Sequence, residues 1–288
     1  MKPSTLSAGW LMVGSTLVFA VMSALLRYAS YLHAYHASFF RFSIGLGVLG
    51  LLVLTGKIKL QFSQPGILFL RGLFGAISVY LFFLSIARIG LAEGTVISYT
   101  FPVFGTIFSR FYLKEKVSLK EWLLILVAFS GIYLIAHGGD GFFTRIDLYH
   151  WLALAGALAS GIAVVFIRKA RETNSAYAVY FAQCLVGFWL LVLPANLIPM
   201  NLRLGGGLIL LAIGITAAAA QLMMTQAYGY LSVCTGSLIG MLLPVFNIFT
   251  GILFFQETFT LKAATGAGLV ILSSGLMLRG EKSYPEAG

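Results

Sequence analysis

The chain has 288 residues, of which 59% are hydrophobic and only 10% charged, and its mean hydropathy is +0.95. Roughly a quarter of the residues in a soluble domain are charged, so this chain cannot cover a water-facing surface, and a lipid bilayer is the solvent that suits it. The net charge of +10 does not mark a nucleic-acid-binding protein: the basic residues form no stripe or basic domain but sit at the ends of apolar runs, where they orient helices in a membrane.

A helix needs about 20 mainly apolar residues to cross the hydrocarbon core. Such runs fall near 7–26, 34–55, 65–87, 92–113, 119–137, 149–167, 175–196, 205–228, 232–255 and 261–279, and are numbered here as spans one to ten. The first run lacks a small-residue cleavage site before Arg27, so it is expected to be a retained helix rather than a removed signal peptide. Cys184 and Cys234 both lie within apolar runs, which excludes a disulfide framework or a CxxC motif. The longest polar link falls almost at the midpoint. The expected organisation is therefore a five-helix repeat over 1–137, a linker over 138–148, a second five-helix repeat over 149–279 and a polar tail over 280–288.

With the N-terminus placed in the cytoplasm, the inner ends carry twelve basic residues: Lys2, Lys57, Lys59, Arg110, Lys114, Lys116, Lys120, Arg168, Lys169, Arg171, Arg279 and Lys282. The outer ends carry five: Arg27, Arg88, Arg145, Arg203 and Lys262. This positive-inside asymmetry places both termini in the cytoplasm, in what is expected to be a bacterial inner membrane.

The two halves are related. With a shift of 142 residues, Thr100-Phe101-Pro102-Val103-Phe104 lies over Leu242-Leu243-Pro244-Val245-Phe246. Gly94 then matches Gly236, Ile97 matches Ile239, Glu115 matches Glu257, and Leu119-Lys120 matches Leu261-Lys262. A shift of 141 pairs Trp10-Leu11 with Trp151-Leu152 and Arg27 with Arg168. Each half holds an odd number of spans, so the second half enters the membrane from the opposite side. The fold class is thus all-α and integral to the membrane, with ten transmembrane helices in two inverted-topology repeats, an architecture that many secondary transporters use for alternating access.

Several motifs sharpen this. Phe39-Phe40-Arg41-Phe42 stands in span two, and Leu70-Arg71-Gly72-Leu73 in span three. Span four runs from Ala92-Glu93-Gly94-Thr95 to Pro102-Val103-Phe104 and is followed by Leu113-Lys114-Glu115-Lys116. The second half keeps Pro244-Val245-Phe246 and Phe255-Gln256-Glu257-Thr258, with Gly275 late in span ten. In these features, over essentially the whole chain, the sequence resembles the drug/metabolite transporter superfamily, EamA type. The resemblance implies movement of small metabolites such as amino acids, nucleotide-type molecules or cationic drugs through a central cavity between the halves, and does not name the substrate.

Candidate site residues follow from what a bilayer tolerates. Pro102 and Pro244 lie mid-span, where each removes one backbone hydrogen bond and pushes on the carbonyl four residues earlier, that of Ser98 or Gly240. Such irregular backbone survives only against protein or a wet cavity, so spans four and nine are expected to kink there and line the substrate path. Near the prolines lie Ser98, Tyr99, Thr100, Gln221, Gln226 and Asn247, with Tyr80, Gln183 and Tyr228 as weaker candidates. Buried amides face inward whether they bond across helices or line a cavity. Tyr99, Gln221 and Asn247 lead this set for substrate contact.

Arg41 and Arg71 sit several residues inside their spans. An intramembrane arginine suits a carboxylate or phosphate; it also ties down helix ends, and membership of motifs shared by carriers of dissimilar substrates favours that reading. Among carboxylates, Glu93 is the candidate for coupling, whereas Glu115 and Glu257 are expected to pair with nearby lysines or loop amides. His33, His36, His137 and His150 gather near one predicted face, more simply by chance than as a sensor. Gly236-x-x-x-Gly240 and Gly156-x-x-x-Ser160 permit close helix approach and give weak support for a homodimer. No Walker, HExxH or GxSxG motif appears, so no metal or cofactor is expected. The reading is a secondary carrier of small polar or amphipathic metabolites, amino acids or related compounds, working between lipid and water. An alternative is a carrier for a nucleoside-type metabolite such as S-adenosylmethionine, whose sulfonium would suit aromatic faces. An intramembrane enzyme would need convergent nucleophile, base or metal ligands, and none is evident.

Overall fold

In the computed structural model the described residues are 5–29, 31–136, 146–200, 205–256 and 260–281, with the side chains of 91 and 92 outside the description. The helices are α1 (Thr5–Tyr28), α2 (Ala34–Leu54), α3 (Pro65–Ser98), α4 (Phe101–Phe108), α5 (Leu119–Ala136), α6 (Leu148–Ala170), α7 (Ala176–Leu197), α8 (Gly206–Ala227), α9 (Val233–Gly240), α10 (Leu242–Phe255) and α11 (Leu261–Gly280). A π-helical turn, Ser109–Leu113, extends α4. Among the described residues nine helices are long and apolar enough to cross a membrane, counting Val233–Phe255 as one. The tenth span is four, which is cut into pieces: the end of α3, then α4, then the π turn.

Local chemistry explains the ends. Pro65 opens α3 at the position where its missing N–H is no loss. Asp147 and His150 form a reciprocal capping box on α6, while Ser175, Ser232 and Thr260 each take an amide N–H at the start of α7, α9 and α11, satisfying donors that have no partner inside the helix. Spans three and four are joined by Gly90 alone, at φ 85° and ψ 167°, a conformation open to glycine and closed to most other residues.

The repeat is written into the backbone. Span four ends its first helix at Tyr99 and span nine at Met241, residues 142 apart, each donating its N–H four residues back, to Thr95 and Ser237. Lys114 and Gln256, also 142 apart, both close their spans in the left-handed conformation, at φ 59° and 55°. α2 and α7 begin at Ala34 and Ala176, and α5 and α11 at Leu119 and Leu261, with the same offset. Packing obeys the relation too. Exchanging the halves maps the α1–α8 contact onto α6–α3, α1–α10 onto α6–α4, and α2–α8 onto α7–α3.

Each proline follows directly on an irregular turn of its span. Pro102 and Pro244 stand in the first turn of α4 and α10, where a missing N–H costs nothing. The break itself lies before each of them, at Tyr99–Thr100 and at Met241. The backbone there stays near helical, at φ −76° and ψ −10° for Thr100 and φ −67° and ψ −7° for Met241, so the breaks are local irregularities within spans four and nine.

Many large apolar residues face outward, Trp10, Trp151 and Trp189 by 64%, 63% and 69%, as lipid-facing side chains should. The small-residue spacings are used within the chain. A side chain at Gly156 would press on Leu81, and one at Gly236 on the Tyr228 ring. Gly275 meets nothing; the close crossing of α5 and α11 is instead Gly131 against Gly266, where a Cβ would lie 2.6 Å or 2.4 Å from the opposite carbonyl oxygen.

Glu115 pairs with an amide, as one of the sequence alternatives has it. Its buried carboxylate accepts the N–H of Val233 at 3.1 Å, so the first half caps the start of α9 in the second. Glu281 accepts the neighbouring N–H of Ser232 at 2.8 Å. Burial pushes the Glu115 carboxyl up to about 7, against the Ser109 and Val233 hydrogen bonds and the Arg168 charge, which pull it down. A carboxyl raised in the folded state contributes stability that is complete below its ordinary value near 4.5 and is lost as pH rises through about 7. Purified protein is therefore expected to melt higher at about pH 5 than at about pH 8, with much of that difference gone in Glu115→Gln. An unchanged pH profile in the variant would show that Glu115 is not its source. Glu257, the repeat counterpart, lies outside the described residues, as does His137.

Candidate functional site

A cavity of about 170 Å³ lies where the two halves meet, between α1, α3, α6, α7 and α8 and the broken spans four and nine. Its polar lining is Ser15, Thr16, Arg71, Ser78, Tyr99, Ser160, Gln183, Gln221 and Tyr228; its apolar lining includes Met12, Phe19, Val79, Phe101, Met224 and Leu243, and Gly240 also reaches it. Among the described residues no carboxylate lines it. The breaks explain the location. Pro102 and Pro244 have no N–H to give the carbonyls of Ser98 and Gly240, which need another protein partner or a water-filled setting.

Two crossed pairs organise the polar part. Arg41 on α2 donates from Nη2 to Gln221 Oε1 on α8 at 3.2 Å, with its guanidinium over the Phe19 ring at 5.4 Å and Nη1 3.9 Å from Met22 Sδ. Arg71 on α3 donates from Nη2 to Gln183 Oε1 on α7 at 2.7 Å. Both arginines are buried, 6% and 2% exposed. The repeat relates them: Gln183 stands 142 residues after Arg41, and the α2–α8 and α3–α7 contacts are exchanged by the two halves. Gln221 stands 142 residues after Val79, and both line the cavity. Each arginine is followed four residues on by a glycine, Gly45 or Gly75. A Cβ at Gly75 would overlap Arg71 Nη1 and lie 3.1 Å from Gln183 Nε2, so the guanidinium lies over Gly75, one turn further along its own helix.

Of the sequence candidates, the cavity gathers Tyr99, Gln221 and Arg71, with Arg41 directly behind Gln221 and the weaker candidates Gln183 and Tyr228 in the wall. Tyr99 is buried and meets Phe101 edge-on at 6.1 Å between centroids; the Tyr228 hydroxyl lies 3.2 Å from Ser237 Oγ. The cavity leaves out Ser98, Thr100, Gln226, Asn247 and Tyr80. Asn247 lies one helical turn, about 6 Å, past Leu243, because the break falls before Pro244 and the lining uses residues 240 and 243. Ser98 ends α3 without reaching the cavity, and Tyr80 stacks on Tyr35 at 4.6 Å.

Glu93 accepts from His150 Nε2 at 2.6 Å, while His150 Nδ1 lies 2.7 Å from Asp147 Oδ1; it belongs to a network joining spans four and six at the end where span four begins. The other described histidines are spoken for locally. His33 caps α2, and His36 donates to the carbonyls of Ala195 and Ile198, at 3.0 and 3.1 Å. Sequence reasoning missed Ser15, Thr16 and Phe19 of α1 and placed Ser160 only as a spacing residue. Ser15 donates to the carbonyl of Ala220 on α8 at 2.8 Å and Thr16 to that of Val13 in its own helix at 2.7 Å, and such hydroxyls carry no pattern that distinguishes a cavity wall from ordinary helix packing.

Comparison with known proteins agrees with this architecture. The profile of the EamA-like transporter family matches residues 6–137 and 147–279. The chain is similar to the pseudopaline exporter CntI of Pseudomonas aeruginosa (strain UCBPP-PA14), 28% identical over 277 residues, covering 94% of this chain and 96% of that one. It is 27% identical to mouse solute carrier family 35 member G1, over 90% and 75% of the two chains. It is 32% identical to the S-adenosylmethionine uptake transporter of Rickettsia bellii over 139 residues, 46% of each chain. A crystal structure at 18% identity superposes with a TM-score of 0.75 over 96% of this chain and 97% of that one, a likeness of fold. With two repeats matched over nearly its whole length, and a cavity at their junction, the chain belongs to the EamA-like transporter family.

Proposed function

We propose that the protein is a secondary carrier that moves small amphipathic metabolites, amino acids or related compounds, by alternating access of the central cavity. The observation that carries this is the cavity itself: it is enclosed by both halves at their two helix breaks and lined by polar groups set in an aromatic and aliphatic wall. A site with those properties at a repeat interface is where carriers of this build hold substrate. The exporter and uptake relatives support a small-molecule substrate in either direction of travel. The S-adenosylmethionine relative, together with the Phe19, Tyr99, Phe101 and Tyr228 rings, favours a nucleoside-type sulfonium as the second reading. We place the protein in an inner membrane with both termini in the cytoplasm, on the basic asymmetry of the sequence.

Reconstituted vesicles loaded with an unlabelled metabolite pool test this. Counterflow of labelled amino acids, or of labelled S-adenosylmethionine, should exceed that of protein-free vesicles and saturate. Leakage without saturation, for every compound, would contradict the carrier reading.

A further inference from the structure

Arg41 and Arg71 are two buried cations that carry no matching anion. Among the described residues no carboxylate touches either, and what they meet is amide oxygens, a thioether and an aromatic face. Taking a guanidinium out of water is costly unless an opposite charge is brought to it, and an amide oxygen brings only a dipole. The hydrogen bonds also fall short. Arg71 Nε and Gln221 Nε2 are buried with no partner, and both residues line the cavity. Buried donors in folded proteins are almost always satisfied, so two unsatisfied ones on one cavity, beside uncompensated positive charge, describe the missing occupant. It is an acceptor and it is anionic.

We propose that Arg71 and Gln221 form an oxyanion subsite that receives a carboxylate of the transported metabolite. Arg41 and Gln183 are its positioning residues. Arg41 takes the Oε1 of Gln221, which turns the amide so that Nε2 is left as the free donor; Gln183 takes one arm of Arg71 and leaves Nε free. A guanidinium edge presents parallel donors that suit a carboxylate in plane, and the rest of the wall offers rings and aliphatic groups for an apolar body. Among the described residues the lining contains no acidic side chain, so an ammonium on the substrate meets hydroxyls and aromatic faces without an opposite charge and is optional, whereas the carboxylate is required. This assignment rests on the carrier reading and gives its substrate class.

The test uses full-length protein in detergent or nanodiscs, with melting temperature and direct binding as readouts. The probes are phenylpropionate, L-phenylalanine and N-acetyl-L-phenylalanine at millimolar concentration, each beside its carboxamide, with phenylphosphonate as a further arm. At least one carboxylate should stabilise the protein, and its carboxamide should bind at least about tenfold more weakly, the range for a charge-assisted hydrogen bond lost. Arg71→Met should remove that preference while leaving the melting temperature of the unliganded protein equal to or above that of the parent, because an unpaired buried charge has gone. A purely structural arginine predicts the reverse, a lower melting temperature in Arg71→Met with no carboxylate preference in the parent. Gln221→Leu serves as the second variant and should weaken the carboxylate with little change for the carboxamide. Equal binding of carboxylates and carboxamides, no binding of any carboxylate to folded protein, or tighter binding of the phosphonate would each overturn the assignment. Carboxylate binding without counterflow would instead sink the carrier reading and leave the subsite standing.

Discussion

Tyr99→Ala should weaken substrate binding ten- to a hundredfold while the protein remains folded, whereas Asn247→Ala should leave affinity within about threefold of the parent. The contrast comes from where the two helices break. Tyr99 is the residue at which span four stops, so its ring is carried by the break into the cavity wall, against Phe101. Asn247 has the same sequence distance from its own proline but lies a turn beyond the lining. Loss of one aromatic face or hydrogen bond costs about 1–3 kcal/mol, the stated factor in affinity. Titration of both variants with any ligand of the parent protein decides it; a large loss at Asn247 with none at Tyr99 would move the site one turn along span nine.

The second large effect is expected at Gly161. α6 passes α4 there so closely that a Cβ would lie 2.7 Å from the amide nitrogen of Gly105, 2.7 Å from Phe104 Cβ and 3.0 Å from the carbonyl oxygen of Phe101. Two of these are backbone atoms, which cannot swing aside. Gly161→Val must push α4 away from α6 just beside the break in span four. Overpacking of this kind costs about 1–3 kcal/mol or more, and it shifts Phe101, a lining residue. A displacement near 1 Å in a positioned site can cost about a hundredfold in rate. Transport should therefore fall by about that factor, with a lower melting temperature. Gly268→Val, where a Cβ meets nothing, is the control and should do neither. Normal transport in Gly161→Val would show that the α4–α6 crossing can relax.

Much of the fold was legible because membrane helices declare themselves by length and hydropathy, and because the repeat fixes their pairing. The offset of 142 places Tyr99 over Met241 and Lys114 over Gln256, pairs that share no residue type and so carry no signal of the matched helix ends. It also places Gln183 over Arg41. That match marks Gln183 as an organising residue on the sequence alone. The mechanics of the breaks were not legible: a mid-span proline predicts a kink, and nothing in the residue pattern says that the helix has already ended three residues sooner. The Arg-to-Gln pairings were hidden for another reason. Each joins residues more than 100 positions apart on helices whose rotation is set by packing, and Gly75 is informative only once the Arg71 side chain is seen lying over it. Glu93 stands out in the sequence as a coupling carboxylate by its rarity alone, and its contact with His150, and through it Asp147, carries no sequence signal.

The central claim is that the cavity between the halves opens to each side of the membrane in turn and holds substrate. Ser160 lines that cavity, and the only cysteines to remove first are Cys184 and Cys234. In Cys184→Ser, Cys234→Ser, Ser160→Cys protein sealed into vesicles of a single orientation, an impermeant thiol reagent is applied from outside or from within the lumen. Labelling is predicted from both sides, slowed from both by a saturating transported substrate. Labelling from one side only, at a rate that substrate does not change, would contradict the account.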